Sequence, residues 1–312
     1  QNTLGNIYSE GKYVPKNIQK AIHYYKLSIS FHNLNALCNL GNLYYNNHKI
    51  DKAIHYYTIA ANKNVSKAQN MLGIIYLKGI EVKRDIYKSI RYFTLAASQN
   101  NPHSQFNLGY IYDHGIDVKK DFNKALYYYT LSANQFNTDA LHFLGKYFCV
   151  GEKVPRDINK GIKYFTIAAE KNNLYSNHYL GEIYCKGEIV PKDVQKAINY
   201  FSRAANNNFT DSQLILGQLF LYGEYIQQNI NISISYLSKA AEKNNVARFL
   251  LGTIYLKGEY ITKDLEKAIH FYKHASSINC NYSKNNLAII YKNVSSYKNI
   301  QYSIELLKEA IK

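Results

Sequence analysis

Two histidines and two cysteines, His142, Cys149, His178 and Cys185, are the side chains of this sequence that come closest to a zinc-ligand set. In each pair the cysteine follows the histidine by seven residues. On one helix this separation is a rise of about 10 Å. Zinc holds all its ligands at about 2.0–2.3 Å, so neither pair can share one ion. We therefore expect no metal site from these four residues.

The sequence also lacks the arrangements that support common forms of catalysis. It contains no glycine-rich phosphate loop, no nucleophile elbow and no paired carboxylates. One aspartate does recur, but it stands where it would cap a predicted helix. We therefore predict a protein that is not an enzyme and that needs no cofactor. The recurrent aspartate is found at Asp85, Asp121, Asp157, Asp193 and Asp264.

A Leu-Gly pair, followed three residues after the glycine by an aromatic residue, recurs along the chain, usually every 36 residues. A fixed period in this range is typical of a stacked array of helical or mixed units. We therefore expect one solenoid over residues 1–312, and a chain that opens within a helix is expected to be a segment of a longer protein. The repeat glycines are Gly5, Gly41, Gly73, Gly109, Gly145, Gly181, Gly217 and Gly252, with Ala288 in a degraded ninth copy.

Each repeat predicts two antiparallel helices. Around Gly73, Leu72 and Tyr76 fall on one helical face, Gly79 is placed to end that helix, and Asp85 to cap the next. A glycine inside a helix costs about 1 kcal/mol against alanine, so its repetition predicts the close approach of a neighbouring helix backbone. The second helix is expected to close at a left-handed asparagine, as at Asn64, Asn100, Asn172, Asn208 and Asn244.

These motifs together, A-x-x-x-L-G-x-x-Y, then G-x-x-V-x-x-D-x-x-K-A-I-x-Y-Y and A-A-x-x-N, resemble the Sel-1-like repeat, a relative of the tetratricopeptide repeat. Residues 192–201 match the middle motif well, and the resemblance covers the whole chain as about nine copies. It implies an all-α fold, a right-handed α/α superhelix, and a scaffold or adaptor role in complex assembly or signalling. The second repeat departs from the pattern by losing four residues and its loop glycine, and the ninth has Ala288 and Val294 where glycines are expected.

One surface of the first helix varies freely among the copies. It consists of the residues three before, one after and four after each repeat glycine, and we call it the first-helix stripe. Related repeats line a concave face with this helix, so we predict that a protein or peptide binds there, with aromatic residues as anchors. Half-burial in a narrow groove is the alternative explanation. The candidate partner-binding residues are Phe106, Tyr110, Asp113, His142, Lys146, His178, Glu182 and Gln218.

The net charge of +16 leaves a second kind of partner open. Many lysines and arginines fall at loops and helix edges, which is compatible either with a solvated basic edge or with an anion-binding module. Nucleic acid is not the expected partner, and a regulatory region of a larger multidomain enzyme such as a kinase is a further alternative. The sequence contains no run of eighteen apolar residues, so it does not predict a membrane span. We expect a cytoplasmic monomer, with the endoplasmic reticulum lumen as the other compartment considered.

Overall fold

The computed structural model describes residues 1–276 and 280–311, and within them the chain is helical without any β-strand. This confirms the predicted all-α class of paired helices. A short 3-10 turn, Ser295–Tyr297, joins the last two helices. The helices are α1 (Asn2–Glu10), α2 (Ile18–Ser30), α3 (Leu34–Asn46), α4 (Ile50–Asn62), α5 (Ser66–Lys78), α6 (Ile86–Ala97), α7 (Pro102–His114), α8 (Phe122–Asn134), α9 (Thr138–Val150), α10 (Ile158–Glu170), α11 (Leu174–Lys186), α12 (Val194–Asn206), α13 (Thr210–Tyr222), α14 (Ile230–Ala241), α15 (Asn245–Lys257), α16 (Leu265–Ser276), α17 (Asn281–Asn293) and α18 (Ile300–Ile311).

The predicted residues that end one helix and cap the next within a repeat are confirmed. In the third repeat Gly79 ends α5 in the left-handed conformation, with φ of 67°, and its N–H donates to the carbonyl of Ile75. Asp85 then caps α6, because its side chain accepts a hydrogen bond of 2.9 Å from the backbone N–H of Lys88. The second repeat lacks the loop glycine, and Asn47 ends α3 with φ of −101° instead.

The predicted asparagine stop of the second helix is right at four positions and wrong at one. Asn64, Asn100, Asn172 and Asn208 adopt φ between 59° and 62°. Asn244 has φ of −123° and instead caps α15, accepting a hydrogen bond from the N–H of Ala247. The cause is the shorter 35-residue spacing of this repeat, which places Asn244 one residue closer to the next helix.

The repeat glycine makes room for a side chain of the second helix, a ring in six repeats and Leu237 at Gly217, and not for a helix backbone, so that part of the prediction is wrong. A Cβ on Gly73 would lie 2.5 Å from the Cδ1 and Cε1 atoms of Phe93, which belongs to the second helix of the same repeat. Phe93 is completely buried. In the ninth helix pair, where Ala288 replaces the glycine, the aligned ring position carries Leu307, which is 40% exposed. Glycine is therefore present where a buried side chain packs directly on the first helix.

The chain forms two compact units, Gln1–Tyr164 and Phe165–Lys312. The first contains α1 to α9 and the beginning of α10, and the second contains the rest of α10 and the remaining helices. Each core alternates small residues with rings: Ala21 and Ala53 pack with Tyr25 and Tyr57 in the first unit, for example. That residues 1–312 form one uninterrupted solenoid stays a prediction.

Candidate functional site

The position directly after each repeat glycine is accessible to solvent in all nine helix pairs. The glycine, or Ala288, is buried in every pair, yet the next residue is half-buried or exposed. The scaffold therefore holds a chemically variable side chain at the same point of each first helix. These residues are Asn6, Asn42, Ile74, Tyr110, Lys146, Glu182, Gln218, Thr253 and Ile289.

Phe106 and Tyr110 belong to an aromatic cluster in the first unit. The half-buried Phe106 ring lies 5.7 Å from Tyr129 and 5.8 Å from Phe143, centroid to centroid. The Tyr110 ring stacks on His114 at 4.1 Å. Phe106 thus packs against the buried Tyr129, whereas Tyr110 covers the outer side of the cluster and keeps part of its ring in solvent.

Asp113 is less available than the sequence suggested. Its side chain is only 4% exposed, and Lys153 Nζ donates to one carboxylate oxygen at 2.6 Å. The hydroxyl of Tyr147 donates to the other oxygen. Burial, followed by this bond, raises the pKa of Tyr147. The Asp113 carboxylate therefore ties α7 to α9 and to the loop after α9.

His142, Lys146 and Cys149, all on α9, differ widely in access. Burial, with a smaller effect of the Lys146 charge, lowers the pKa of His142 to about 4, so the imidazole is neutral at physiological pH. Lys146 is exposed and supplies a cation. Cys149 is 2% exposed and packs against Gly161, and burial raises its pKa to about 11.

In the second unit, His178, Glu182 and Gln218 are all half-buried. His178 Nδ1 is 2.9 Å from the Ser212 hydroxyl, and burial is the main cause that lowers the pKa of the His178 ring. Glu182 forms an ion pair of 3.4 Å with Lys186 on the same helix. The side-chain amide of Gln218 forms no hydrogen bond within the described part of the chain.

The lysines at the start of the second helices have a structural use that the sequence analysis did not assign. In the sixth repeat Lys196 Nζ lies 4.0 Å from the centroid of Tyr184, and the Tyr184 ring also stacks with Tyr200 at 5.9 Å. Such cation–π contacts stabilise by about 0.5–1 kcal/mol at exposed sites. In seven repeats, one exposed lysine thus also stabilises the packing of its own helix pair. The same contact, between 4.0 and 5.6 Å, is made by Lys20, Lys52, Lys88, Lys124, Lys160 and Lys267.

A cavity of about 560 Å³ in the first unit was missed by the sequence analysis. Several of its residues occupy first-helix stripe positions of the first three repeats, so the same offsets applied there would have found them. Seven of its lining residues are asparagines: Asn2, Asn6, Asn35, Asn39, Asn42, Asn70 and Asn101. They come from α1, α3, α5 and the residue that caps α7. We call this space the asparagine cavity.

Across the described ranges 1–276 and 280–311, no three His, Cys, Asp or Glu side chains are grouped so that they could hold a metal ion. In the same ranges, every helix is too short or too polar to cross a membrane.

Comparison with known proteins assigns the family. Eight consecutive segments match the Sel1 repeat, at residues 1–30, 34–65, 66–101, 102–135, 138–173, 174–209, 210–245 and 246–279. The ninth helix pair follows these segments and carries the departures already noted. The comparison with curated proteins gives no match.

Among solved structures, the chain is similar to a protective antigen of uropathogenic Escherichia coli strains that displays an SLR fold. The identity is 26% and the TM-score 0.75, over 99% of this chain and 68% of that one. It is also similar to a Sel1 repeat protein from Oxalobacter formigenes, with 29% identity and a TM-score of 0.70, over 78% of this chain and 99% of that one. The glycine, cap and ring pattern of the helix pairs agrees with these matches, and the chain belongs to the Sel1 repeat family.

Proposed function

We propose that this chain is a non-enzymatic scaffold or adaptor that binds a protein or peptide along the first-helix stripe. Sel1 repeat proteins are generally scaffolds for protein interaction, and the family is typically non-enzymatic. The observation that carries the finer proposal is the position after the repeat glycine, which is accessible in all nine pairs beside a buried neighbour. Within each unit, a variable, accessible side chain repeated on successive first helices is suited to recognition of a linear partner.

Within the first unit, Tyr110 and Lys146 are the stripe residues best placed to contact a partner. Tyr110 combines an apolar ring with a hydroxyl, the combination that is enriched at binding hot spots. Lys146 is exposed and forms no ion pair within the described chain. The Phe106 ring lies 6.2 Å from that of Tyr110, and Asp113 links α7 and α9, the helices that carry Tyr110 and Lys146.

The test compares partner capture by two matched double variants. Tyr110→Ala with Lys146→Ala removes the stripe side chains, whereas Tyr127→Ala with Lys163→Ala removes the same residue types from exposed positions on second helices. Both variants are first checked for wild-type helicity by circular dichroism. We expect partners to be retained by the second variant and lost by the first. Equal capture by both, with partners removed only by salt, would instead assign binding to the basic edge.

A further inference from the structure

We propose that the asparagine cavity binds an extended peptide through the peptide's backbone carbonyl groups, with an acidic side chain of the peptide placed opposite Lys67. This inference rests on the proposed function and names the chemical class of the partner. The cavity contains the accessible position of the first two repeats, Asn6 and Asn42, and its lining extends to α5.

The amide orientation of three asparagines is fixed by hydrogen bonds to their oxygens. Asn42 Oδ1 accepts a bond of 2.6 Å from the hydroxyl of Tyr57. Asn6 Oδ1 accepts bonds of 2.8 Å from the hydroxyl of Tyr25 and of 3.0 Å from Asn39 Nδ2. Because the oxygen of each amide is occupied, the Nδ2 group is left as the donor that a ligand can use.

The third amide, that of Asn70, is also held through its oxygen, but by a hydroxyl of the next first helix, α7. Its Oδ1 accepts a hydrogen bond of 2.8 Å from the hydroxyl of Ser104. In the described chain, none of the Nδ2 groups of Asn6, Asn42 and Asn70 donates to a protein acceptor, and none is sealed from solvent. The cavity therefore presents amide donors from α1, α3 and α5, preorganised by buried or half-buried hydroxyls.

The spacing of these donors suits an extended polypeptide. Neighbouring packed helices lie about 8–10 Å apart. In a polyproline-II-like chain, residues three apart point the same way and are separated by about 9 Å. Asn6 and Asn42 occupy the same position on α1 and α3, which contact each other through the Asn39 and Asn6 amides, so one carbonyl in every third residue can meet one of these two donors. Asn70 lies four residues earlier on its helix than that position, a shift of about 6 Å along the helix axis, and offers a further donor beside this row. Because backbone carbonyls carry the recognition, the peptide sequence is constrained mainly by its ability to stay extended.

The charge of the cavity selects among such peptides. Among its described lining residues there is no aspartate or glutamate, and Lys67 contributes an exposed ammonium group. The half-buried Met71 provides apolar contact area at the same place. A row of donors with one cation favours a ligand rich in acceptors, which an extended peptide with an Asp or Glu supplies.

The first measurement uses an array of peptides of about 12 residues with acetyl and amide caps and one fixed Asp. Such a peptide extends about 37 Å, more than the roughly 24–30 Å across four neighbouring helices. Binders are then remade with single ester linkages in place of backbone amides, because an ester carbonyl is a weaker hydrogen-bond acceptor. We expect the dissociation constant to rise at least about 3-fold for esters at every third position.

The protein variants replace the donor without disturbing its support. Asn6→Asp with Asn42→Asp keeps the oxygens that accept from Tyr25 and Tyr57, and exchanges the two Nδ2 donors for oxygens. Affinity for the array peptide should fall at least about 10-fold. Asn123→Asp, an exposed change at the start of α8, is the matched control and should leave affinity within about 2-fold. Affinity is measured at about 0.1 M and about 1 M salt, where the Debye length is about 10 Å and about 3 Å. A loss of affinity that persists at high salt comes from the missing donors and not from long-range charge repulsion.

Each outcome decides between the two proposals. If peptides bind but tolerate the ester and Asn→Asp changes, the inference about the cavity is wrong. If the Tyr110→Ala, Lys146→Ala variant no longer binds those peptides, binding along the first-helix stripe is still supported. If a neutral oligosaccharide and no peptide binds the cavity, the assigned ligand class is wrong. If no array peptide binds at up to about 1 mM, while native partners still depend on Tyr110 and Lys146, the cavity inference alone falls.

Discussion

Replacing Gly73 with alanine tests why a glycine recurs at this position of the first helix. In an open helix this change would stabilise by about 1 kcal/mol, because glycine has the lower helix propensity. Here the new Cβ would lie 2.5 Å from two ring atoms of Phe93, whereas ordinary contact begins near 3.4 Å. The ring is completely buried and must retreat by about 1 Å. Overpacking of this kind costs about 1–3 kcal/mol, so we expect a net loss of up to about 2 kcal/mol.

A second background isolates the ring as the cause. The atoms of Phe93 that approach the added Cβ are Cδ1, Cε1 and Cζ, and Phe93→Val removes all three. In that background Gly73→Ala should stabilise by about 1 kcal/mol, because only the propensity gain remains. The two backgrounds thus predict effects of opposite sign and a coupling energy of about 1–3 kcal/mol.

Urea unfolding followed by circular dichroism gives the stability of the four proteins in this cycle. Hydrogen exchange over α5 and α6 is measured in parallel, because repeat arrays can unfold in parts and the local effect must be seen where the substitution lies. A stabilising effect of Gly73→Ala in the wild-type background would refute the reasoning. It would mean that the ring yields freely and that the repeated glycine has another cause.

Three other predictions follow from the burial of titratable groups. Under brief iodoacetamide labelling, Cys185 should react much faster than Cys149, whose thiol is 2% exposed with a pKa of about 11; equal labelling by peptide mass mapping would contradict this. The pKa of His142 is about 4 when folded and ordinarily 6.5, so the unfolded state takes up the proton first as pH falls. Stability should therefore drop by up to about 3 kcal/mol between pH 6.5 and 4, and urea midpoints of His142→Gln should lose that part of the pH dependence. Lys153→Met should destabilise more than Asp113→Asn, because it leaves a carboxylate of 4% exposure without its cation; the reverse order of thermal midpoints would show that the pair is not the main tie.

The sequence was sufficient for the helix pairs because their signals are local. Gly79 ends α5 and Asp85 begins α6 through conformations and hydrogen bonds that involve only nearby residues. Asn244 shows the limit of such reasoning. Its residue type fits a left-handed stop, yet the shortened connection turns the same side chain into the cap of α15. Residue type alone does not decide between the two uses, because both satisfy backbone groups at a helix end.

The role of the repeat glycine was harder to predict because it depends on a residue twenty positions away. The pattern correctly required a close neighbour for Gly73 but did not say which atoms approach it. The answer, the ring of Phe93, follows from the pairing of two helices within one repeat. Likewise, the charge of Lys196 gave no sign that it lies on Tyr184, since its position at a helix edge is equally typical of a solvated lysine.

Residues at equivalent positions of the repeats do not all have equal access to a partner. The first-helix stripe was predicted from variability, but its members range from the exposed Lys146 to Asp113, whose carboxylate is already bound within the chain. Asn42 occupies a stripe position of the second repeat, one residue after Gly41, but its residue type alone does not indicate a binding site. What gives Asn42 its chemistry is the Tyr57 hydroxyl on the next helix, which occupies the amide oxygen and leaves the amide nitrogen as the donor. Recognition by this surface therefore depends on pairs of residues, one accessible and one supporting, and for Asn6 and Asn42 the supporting tyrosine lies within the same helix pair.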